Sequence, residues 1–294
     1  MMAAYGDGAP VRDTFAEASA VLGQDLWALV TEGPAETLNQ TVNTQPVVLA
    51  AGVAVYRLWQ SLGGPAPAIM AGHSLGEYTA LVCAGSLSFA DAVKLVRLRA
   101  EAMQSAVPKG QGGMAAVLGL DDDVVGAVCA DAAQGDVLEA VNFNSPGQVV
   151  IAGSKAAVGR ACILAKEKGA KRALPLPVSV PSHCALMKPA AEKLLAGMSG
   201  MEIKEPAIPV LHNADVAAYA DPALIRDALA RQLYSPVRWV ETVRAMAAQG
   251  VEIIAECGPG KVLAGLNKRC ADGVVSVALA DAGAMADTLA KIKA

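Results

Sequence analysis

The fold is decided by residues 68–83, which read AIMAGHSLGEYTALVC. The apolar start predicts a short buried strand, and Gly72–Gly76 match the G-x-S-x-G pattern of a serine on a tight turn between a strand and a helix. Such a turn exposes the hydroxyl of Ser74, because the glycines relieve crowding around the backbone. The N–H of Leu75 is then free to donate to a developing oxyanion. The alternative, an ordinary serine at a helix N-terminus, is disfavoured by the preceding strand.

Outward from this turn, the sequence alternates helices and strands. Gln45–Leu62 is apolar on nearly all sides, which predicts a helix buried in the core. Ser88 and Asp91 fit a capping-box variant at the start of another helix. Val251–Glu256 predicts a strand that is followed by a helix, and such alternation favours a mainly parallel sheet. We therefore expect a large α/β domain.

The middle of the chain changes pattern after a glycine-rich linker at Pro108–Gly113. The stretch that follows predicts the order strand, helix, strand, strand, helix, strand, with Ser154 as the cap of the second helix. This is the order of a ferredoxin-like unit, and its length suits one small domain. We expect residues 110–178 to form a small α+β subdomain, inserted into a large domain made of residues 1–109 and 179–294.

Composition excludes several classes of protein. The 294 residues include 24 basic and 28 acidic side chains, and the net charge of −4 gives no field for nucleic acid or an anionic membrane. No apolar run reaches the roughly 18 residues of a membrane helix, and the N-terminus does not resemble a signal peptide. Six cysteines without a C-x-x-C pair favour a reducing compartment, and three histidines exclude a histidine-rich metal site. We expect a cytoplasmic protein without a metal or cofactor.

A catalytic serine needs a base, which is usually histidine. His73 adjoins the serine and should point elsewhere on a sharp turn. His183 lies in a loop that leads into a helix, and catalytic residues concentrate on such loops. His212 lies near a predicted strand end and is the alternative base. The local pattern favours His183.

An acidic third member of the site is not evident in the sequence. Esterases place Asp or Glu between the serine and the histidine in chain order. The candidates Asp131 and Asp136 fall in the small subdomain, far from the expected sheet ends, and no H-G-G-G segment precedes the serine. A plain lipase or esterase is therefore disfavoured.

Several motifs together resemble the malonyl-CoA:acyl carrier protein transacylases, the acyltransferase family of fatty-acid synthesis. They are GHSLGEY at 72–78, NFNSPGQ at 142–148, PSH at 181–183 with Met187, RQLYSPV at 231–237 and GPGKVL at 258–263. The resemblance spans nearly the whole chain in the family order. It implies a hydrolase-like core with a mainly parallel sheet and an inserted ferredoxin-like α+β subdomain, in agreement with the organisation predicted above.

The resemblance implies a ping-pong transfer that supplies malonyl groups for fatty-acid elongation. Ser74 takes malonyl from malonyl-CoA, and the phosphopantetheine thiol of acyl carrier protein then accepts it. His183 is the implied general base and acid, oriented by the backbone carbonyl of Gln232 in place of an aspartate. Arg99 is implied to hold the malonyl carboxylate, with Gln45 near the acyl pocket.

Further residues are expected around this site. His73, Asn142 and Asn144 are assigned to substrate binding, although the two asparagines also suit a turn. Lys171 and Arg172 belong to a basic run in an acidic protein, for which solvated charge is the default. They are candidate contacts for coenzyme A phosphates or an acidic carrier protein. We expect a monomer.

Two other functions stay open from the sequence. One is a serine hydrolase of small thioesters or esters, and the other is a non-catalytic carrier-binding domain. Arg99 separates the hydrolase from the transferase, because a general esterase needs no cation for a dicarboxylic acyl group. A solvated arginine on a helix surface is the alternative for this residue.

The start of the chain also differs from the family pattern. Family members begin with a short apolar strand and a glutamine-containing loop that gives the second oxyanion N–H, whereas this sequence begins at Met1–Tyr5, beyond that point. We expect the native chain to carry this upstream segment. An oxyanion donor is worth about 10²–10³ in rate, so the longer chain should turn over faster and melt higher.

Overall fold

The computed structural model describes residues 2–5, 8–178 and 180–293. Parallel strand pairs and helices surround a large hydrophobic core, and an antiparallel sheet with its own helices forms a second unit. The predicted α/β class is confirmed. Throughout these described ranges, no helix combines the length and the apolar character needed to cross a bilayer.

The first part of the large unit is mostly helical. After a 3₁₀ turn at Ala3–Tyr5, its elements are α1 (Ala9–Leu22), α2 (Leu26–Thr31), α3 (Ala35–Leu38), α4 (Thr41–Ser61), β1 (Met70–Ala71), α5 (Gly76–Cys83) and α6 (Phe89–Ala106). Helix α4 is buried on nearly all sides, as its apolar sequence predicts, and it packs against α1, α5 and α6. Helix α6 begins after Ser88, whose hydroxyl accepts a hydrogen bond from the N–H of Asp91 at 3.1 Å.

An antiparallel sheet is inserted after α6. Its elements are β2 (Gly112–Leu118), α7 (Asp122–Ala133), β3 (Leu138–Ser145), β4 (Gln148–Ser154), α8 (Lys155–Glu167) and β5 (Arg172–Pro175). The spatial order is β3-β4-β2-β5 with antiparallel neighbours, which is the ferredoxin-like arrangement. Both helices contribute to a core of small apolar side chains. The inserted α+β unit is therefore confirmed.

One local prediction for this unit is wrong. The glycine-rich linker is shorter than expected, because Gly112 and Gly113 already pair with β4. Ser154 is the N-cap residue of α8, as predicted, although its side chain makes no capping hydrogen bond. The domain limits at 110 and 178 stay a prediction, and Ser179 lies outside the described residues.

Strand β3 carries the two asparagines that the sequence placed near the site. Asn142 and Asn144 lie within the strand and not in a turn; the turn follows at Gly147, where φ is 71°. The same strand joins the inserted sheet to the large unit. The N–H of Val237 donates to the carbonyl of Val141 at 2.8 Å. This contact holds β3 beside the large unit.

The rest of the chain returns to the large unit. It contains a 3₁₀ turn (Ala185–Met187), α9 (Lys188–Gly197), β6 (Val210–Leu211), α10 (Pro222–Gln232), α11 (Trp239–Ala248), β7 (Ile253–Glu256), α12 (Val262–Asn267), β8 (Val275–Ala278) and α13 (Ala282–Lys293). The parallel strands form two separate pairs, β1 with β6 and β7 with β8, in the part of the chain that the structure covers.

Strand β1 is shorter than its apolar sequence indicates. The run from Ala68 predicts it, but only Met70–Ala71 pair with β6. Pro209 precedes β6 and has no N–H to donate, so the pairing cannot extend backwards as a regular ladder. The N–H of Met70 donates to the carbonyl of Pro209 at 2.8 Å, as expected for a parallel ladder in which Met70 pairs with Val210. Strand β1 ends three residues before Ser74, and β6 ends directly before His212.

Candidate active site

Ser74 occupies a tight turn between β1 and α5. Its φ is 51°, in the left-handed region that few non-glycine residues adopt. Gly72 permits the turn, because a Cβ there would lie 1.9 Å from the backbone carbon of Gly76. The side chain of Asn213 spans the turn, accepting from the N–H of Ser74 at 2.7 Å and donating to the carbonyl of Gly72 at 2.7 Å. One side chain after β6 thus fixes the turn.

The hydroxyl of Ser74 reaches a histidine. Ser74 Oγ lies 2.8 Å from Nε2 of His183, and Nδ1 of that ring lies 2.8 Å from the carbonyl oxygen of Gln232. A carbonyl oxygen only accepts hydrogen bonds, so Nδ1 carries the proton and Nε2 presents its lone pair to the serine. The alternative base, His212, contacts Glu77 instead, with its Nδ1 2.6 Å from Oε1.

His183 is a buried base, with 2% of its surface exposed. Burial, followed by the positive charge of Arg99, lowers the pKa of His183 from 6.5 to about 3. The backbone N–H of His183 donates to the carbonyl of Leu233 at 2.9 Å, which holds this loop against the end of α10. The imidazole is therefore neutral throughout the range around neutral pH.

Arg99 extends from α6 into the same site and is 2% exposed. Its Nη2 donates to Ser74 Oγ at 3.1 Å and to Gln232 Oε1 at 3.0 Å, and its Nη1 donates to Gln45 Oε1 at 2.8 Å. The guanidinium carbon lies 5.4 Å from the ring centroid of Tyr78. Among the described residues, no carboxylate is within ion-pair distance of Arg99. A buried cation with neutral partners is costly, so this site suits an anionic ligand.

His73 points away from the serine, as expected for its neighbour on a sharp turn. Its Nε2 lies 2.8 Å from Oδ1 of Asn144, and its ring centroid lies 5.6 Å from that of Trp239. Burial lowers the pKa of His73. Because an amide oxygen only accepts hydrogen bonds, Nε2 of His73 donates to Oδ1 of Asn144. On the same strand, Asn142 has a buried Oδ1 without a hydrogen-bond partner in the described ranges. The inserted sheet therefore contacts the elbow through His73.

Lys171 and Arg172 lie away from these residues. Both are exposed at the start of β5, the outer strand of the inserted sheet. The N–H of Lys171 donates to the carbonyl of Leu118 at 2.8 Å, and its stem covers Gly119. The structure does not bring this basic pair to Ser74. The described side chains also include no cluster of His, Cys, Asp or Glu that could hold a metal ion.

Comparisons with known proteins agree with this geometry. The acyl transferase domain family matches residues 10–285. The malonyl CoA-acyl carrier protein transacylase of Escherichia coli K12 is 60% identical over 279 residues, 95% of this chain and 90% of that protein. The chain belongs to the malonyl CoA-acyl carrier protein transacylase family. It is accordingly an acyltransferase.

Two solved structures of this transacylase family extend the agreement to the fold. An acyl-carrier-protein S-malonyltransferase from Burkholderia pseudomallei 1710b has a TM-score of 0.96 at 58% identity, covering 98% of this chain and 94% of that chain. A malonyl-transacylase in complex with a type II PKS acyl-carrier protein has a TM-score of 0.94 at 55% identity, covering 96% and 91% of the two chains. The mixed α/β architecture is thus shared at high identity.

The transacylase site also contains groups that the sequence analysis did not select. Glu77 is fully buried and accepts a hydrogen bond from the side chain of Gln232, and Asn213 clamps the turn. Glu77 follows Ser74 by three residues, which is nearly one helical turn, and Asn213 adjoins His212. These two spacings are the only indications that the sequence offers for Glu77 and Asn213. They do not indicate that the end of α10 places the side chain of Gln232 against Ser74 and Glu77.

The lowered pKa of His183 predicts how the ring responds to acid. The free energy of unfolding should fall as the pH drops below about 6.5, because the unfolded chain then binds a proton that the folded chain excludes until about pH 3. NMR of the three histidine rings, with His183 assigned from a His183→Gln variant, should show no protonation of His183 between pH 7.5 and roughly 5. The urea-unfolded chain, which titrates near 6.5, is the control. A midpoint near 6.5 in the folded chain would refute the buried neutral base.

Proposed function

We propose that this chain transfers the malonyl group from malonyl-CoA to the phosphopantetheine thiol of acyl carrier protein through a malonyl-Ser74 intermediate. The product, malonyl-acyl carrier protein, supplies malonyl groups for fatty-acid elongation. The names of its high-identity relatives support this function, and one relative is solved with an acyl-carrier protein bound. The observation that carries the proposal is that Ser74 Oγ contacts both a neutral histidine and a buried arginine, and that this arginine has no carboxylate partner among the described residues.

The first half of the reaction forms the ester. Ser74 Oγ attacks the thioester carbonyl carbon while its proton passes to Nε2 of His183, which the Gln232 carbonyl holds in the correct tautomer. The carbonyl oxygen becomes an oxyanion near the start of α5, where the N–H of Leu75, the N-cap residue, lacks an intrahelical acceptor. The C–S bond then breaks, and coenzyme A leaves as a thiol with the proton from His183.

The second half reverses these steps with a different thiol. His183 takes the proton of the phosphopantetheine thiol, and the sulfur attacks the ester carbonyl of malonyl-Ser74. The C–O bond breaks, and Ser74 recovers its proton from His183. The same base therefore serves both halves, and water must compete with the carrier thiol for the ester. The buried position of His183 supports transfer over hydrolysis.

Arg99 selects the acyl group in this proposal. Its guanidinium lies beside Ser74 Oγ, where the acyl chain is attached, and it has only neutral protein partners among the described residues. The malonyl carboxylate supplies the missing negative charge through charge-assisted hydrogen bonds. Because the charge of Arg99 lowers the pKa of His183, a bound carboxylate also makes that base stronger.

The remaining site residues take supporting roles in the proposal. Gln45 holds Nη1 of the Arg99 guanidinium, whereas Gln232 holds Nη2. His73 and Asn144 form a hydrogen-bonded pair beside the turn at Ser74. The Oδ1 of Asn142, which has no hydrogen-bond partner among the described residues, is an acceptor for a substrate group. We assign the exposed Lys171 and Arg172 to contacts with coenzyme A phosphates or the acidic carrier protein, at a distance from the chemistry.

We further propose that the chain acts as a monomer in the cytoplasm and needs no cofactor. The mechanism uses only side chains and backbone groups of one chain. Six free cysteines suit a reducing compartment.

The covalent intermediate is the direct test of the function. After malonyl-CoA is added alone, intact-mass measurement should detect one malonyl group per chain. Addition of holo-acyl carrier protein should then remove this group and produce malonyl-acyl carrier protein. Ser74→Ala should abolish the adduct, whereas Ser105→Ala, at an exposed serine on α6, should retain it. Free malonate as the main product would favour a hydrolase. Carrier binding without any adduct would favour a non-catalytic domain.

Substitution of Arg99 should change which acyl group is transferred. Removing the partner of a buried charge costs on the order of 2–5 kcal/mol, so Arg99→Ala should lower kcat/KM for malonyl-CoA by roughly 30- to 4,000-fold. Acetyl transfer, which involves no carboxylate, should change little. Arg99→Lys should recover only part of the malonyl rate, because lysine lacks the planar fork. Arg97→Ala, two residues along α6, is the matched control. A parallel loss with both substrates would contradict the selectivity.

A further inference from the structure

Glu77 is a fully buried carboxylate that the proposed reaction does not use directly. It lies in the first turn of α5 and has 0% of its surface exposed. Its Oε1 contacts Nδ1 of His212 at 2.6 Å, and its Oε2 accepts from the N–H of Asn213 at 2.9 Å and from Nε2 of Gln232 at 2.9 Å. A buried carboxylate with this many donors has one fixed position.

The amide of Gln232 has one orientation that satisfies all its neighbours. Its Nε2 donates to Glu77 Oε2 and to the backbone oxygen of Ser74, both at 2.9 Å, and its Oε1 accepts from Arg99 Nη2 at 3.0 Å. If the amide were turned over, its oxygen would face two acceptors and its NH₂ group would face a donor. All three hydrogen bonds would be lost.

The orientation of this amide matters because it determines whether an acceptor oxygen faces Nη2 of Arg99. Nη1 of Arg99 is held by Gln45, so the Gln232 oxygen is the second amide acceptor that fixes the guanidinium plane. Without it, the protein contact of Nη2 is the hydroxyl of Ser74, the atom that becomes acylated. The Nε of Arg99 is buried without a hydrogen-bond partner in the described part of the chain. The guanidinium therefore depends on the two glutamines for its position.

We propose that Glu77 is a positioning residue for malonyl selectivity, because it holds the Gln232 amide in the orientation that aims Arg99 at the acyl group on Ser74. This inference rests on the proposed malonyl transfer. Glu77 touches neither the acyl group nor Arg99 in this arrangement; it acts through one amide. Its removal should thus affect a substrate that has a carboxylate more than one that has none.

The test compares malonyl-CoA and acetyl-CoA as donors to Ser74 in a Glu77→Gln variant. This change keeps the shape of the side chain, but the variant has one acceptor oxygen, whereas Glu77 uses both of its carboxylate oxygens as acceptors. The Gln232 amide therefore loses its single preferred orientation. We expect kcat/KM for malonyl-CoA to fall roughly tenfold relative to acetyl-CoA, as for the loss of a hydrogen bond to a charged group. Glu256→Gln is the matched control, since Glu256 is a carboxylate on β7 that accepts from the N–H of Ala264 at 2.8 Å.

A double-mutant cycle distinguishes positioning from general support of the fold. In an Arg99→Ala background, Glu77→Gln should have no further effect on the ratio of malonyl to acetyl transfer. An equal loss with both donors, or an undiminished effect without Arg99, would overturn the inference. Should Glu77→Gln not fold, Glu77→Asp keeps the charge, withdraws it from Gln232 by one methylene and tests the same ratio.

Different results would contradict the role of Glu77 and the proposed malonyl transfer. If the unsubstituted chain forms malonyl-Ser74 and the variants lose both activities in parallel, only the role of Glu77 is wrong. If the unsubstituted chain forms no malonyl-serine, the proposed function fails, and the positioning role fails with it.

Discussion

Ser74 turns the chain from β1 into α5 with a φ of 51°, and the absence of a side chain at Gly72 is what makes the turn possible. The rest of the site depends on this geometry. The turn exposes Oγ to the loop that carries His183 and to the side chain of Arg99 on α6. It also begins α5 so that Glu77 arrives nearly one helical turn later, beside α10. Asn213, two residues after β6, holds the turn through hydrogen bonds to Gly72 and Ser74. Its side chain thus links the ends of the two short parallel strands.

The site is built from groups that are unfavourable to bury. Arg99 is surrounded by amide and hydroxyl oxygens, and its Nε, like the hydroxyl of Tyr78, has no hydrogen-bond partner in the ranges that the structure covers. Each unsatisfied buried group costs about 1–3 kcal/mol. The apolar packing around α4 offsets such terms. In the proposed reaction the incoming carboxylate supplies the absent charge, so binding of the correct acyl group relieves part of this cost.

Local pattern predicted the elements with strong periodicity or motif character. The serine turn, the buried helix α4 and the strand–helix order of the inserted unit all follow from short-range rules, because each depends on spacing within one segment. The short β1 and the position of Asn144 within β3 did not follow. The length of β1 depends on Pro209, which lies far away in the sequence, and the extent of β3 depends on its pairing with β4 and on its backbone contacts with the distant Val237.

Long-range hydrogen bonds limit how much of the site can be predicted from the sequence. His183 could be chosen over His212 from the chain alone, and the resemblance assigned the Gln232 carbonyl, Arg99 and Gln45. The side chain of Gln232 was not considered, because its role exists only where α10 ends between Ser74, Glu77 and Arg99. The catalytic and binding roles, like the domain limits, stay predictions that experiments on this chain must test.

The central claim is that Arg99 recognises the carboxylate of an acyl group held on Ser74. The most direct measurement is a crystal structure of the chain after reaction with malonyl-CoA. We expect an ester at Ser74 Oγ and both carboxylate oxygens within about 3.2 Å of guanidinium nitrogens of Arg99. An acyl group on a different residue, or a malonyl-Ser74 whose carboxylate lies in solvent while Arg99 contacts only amides, would contradict it.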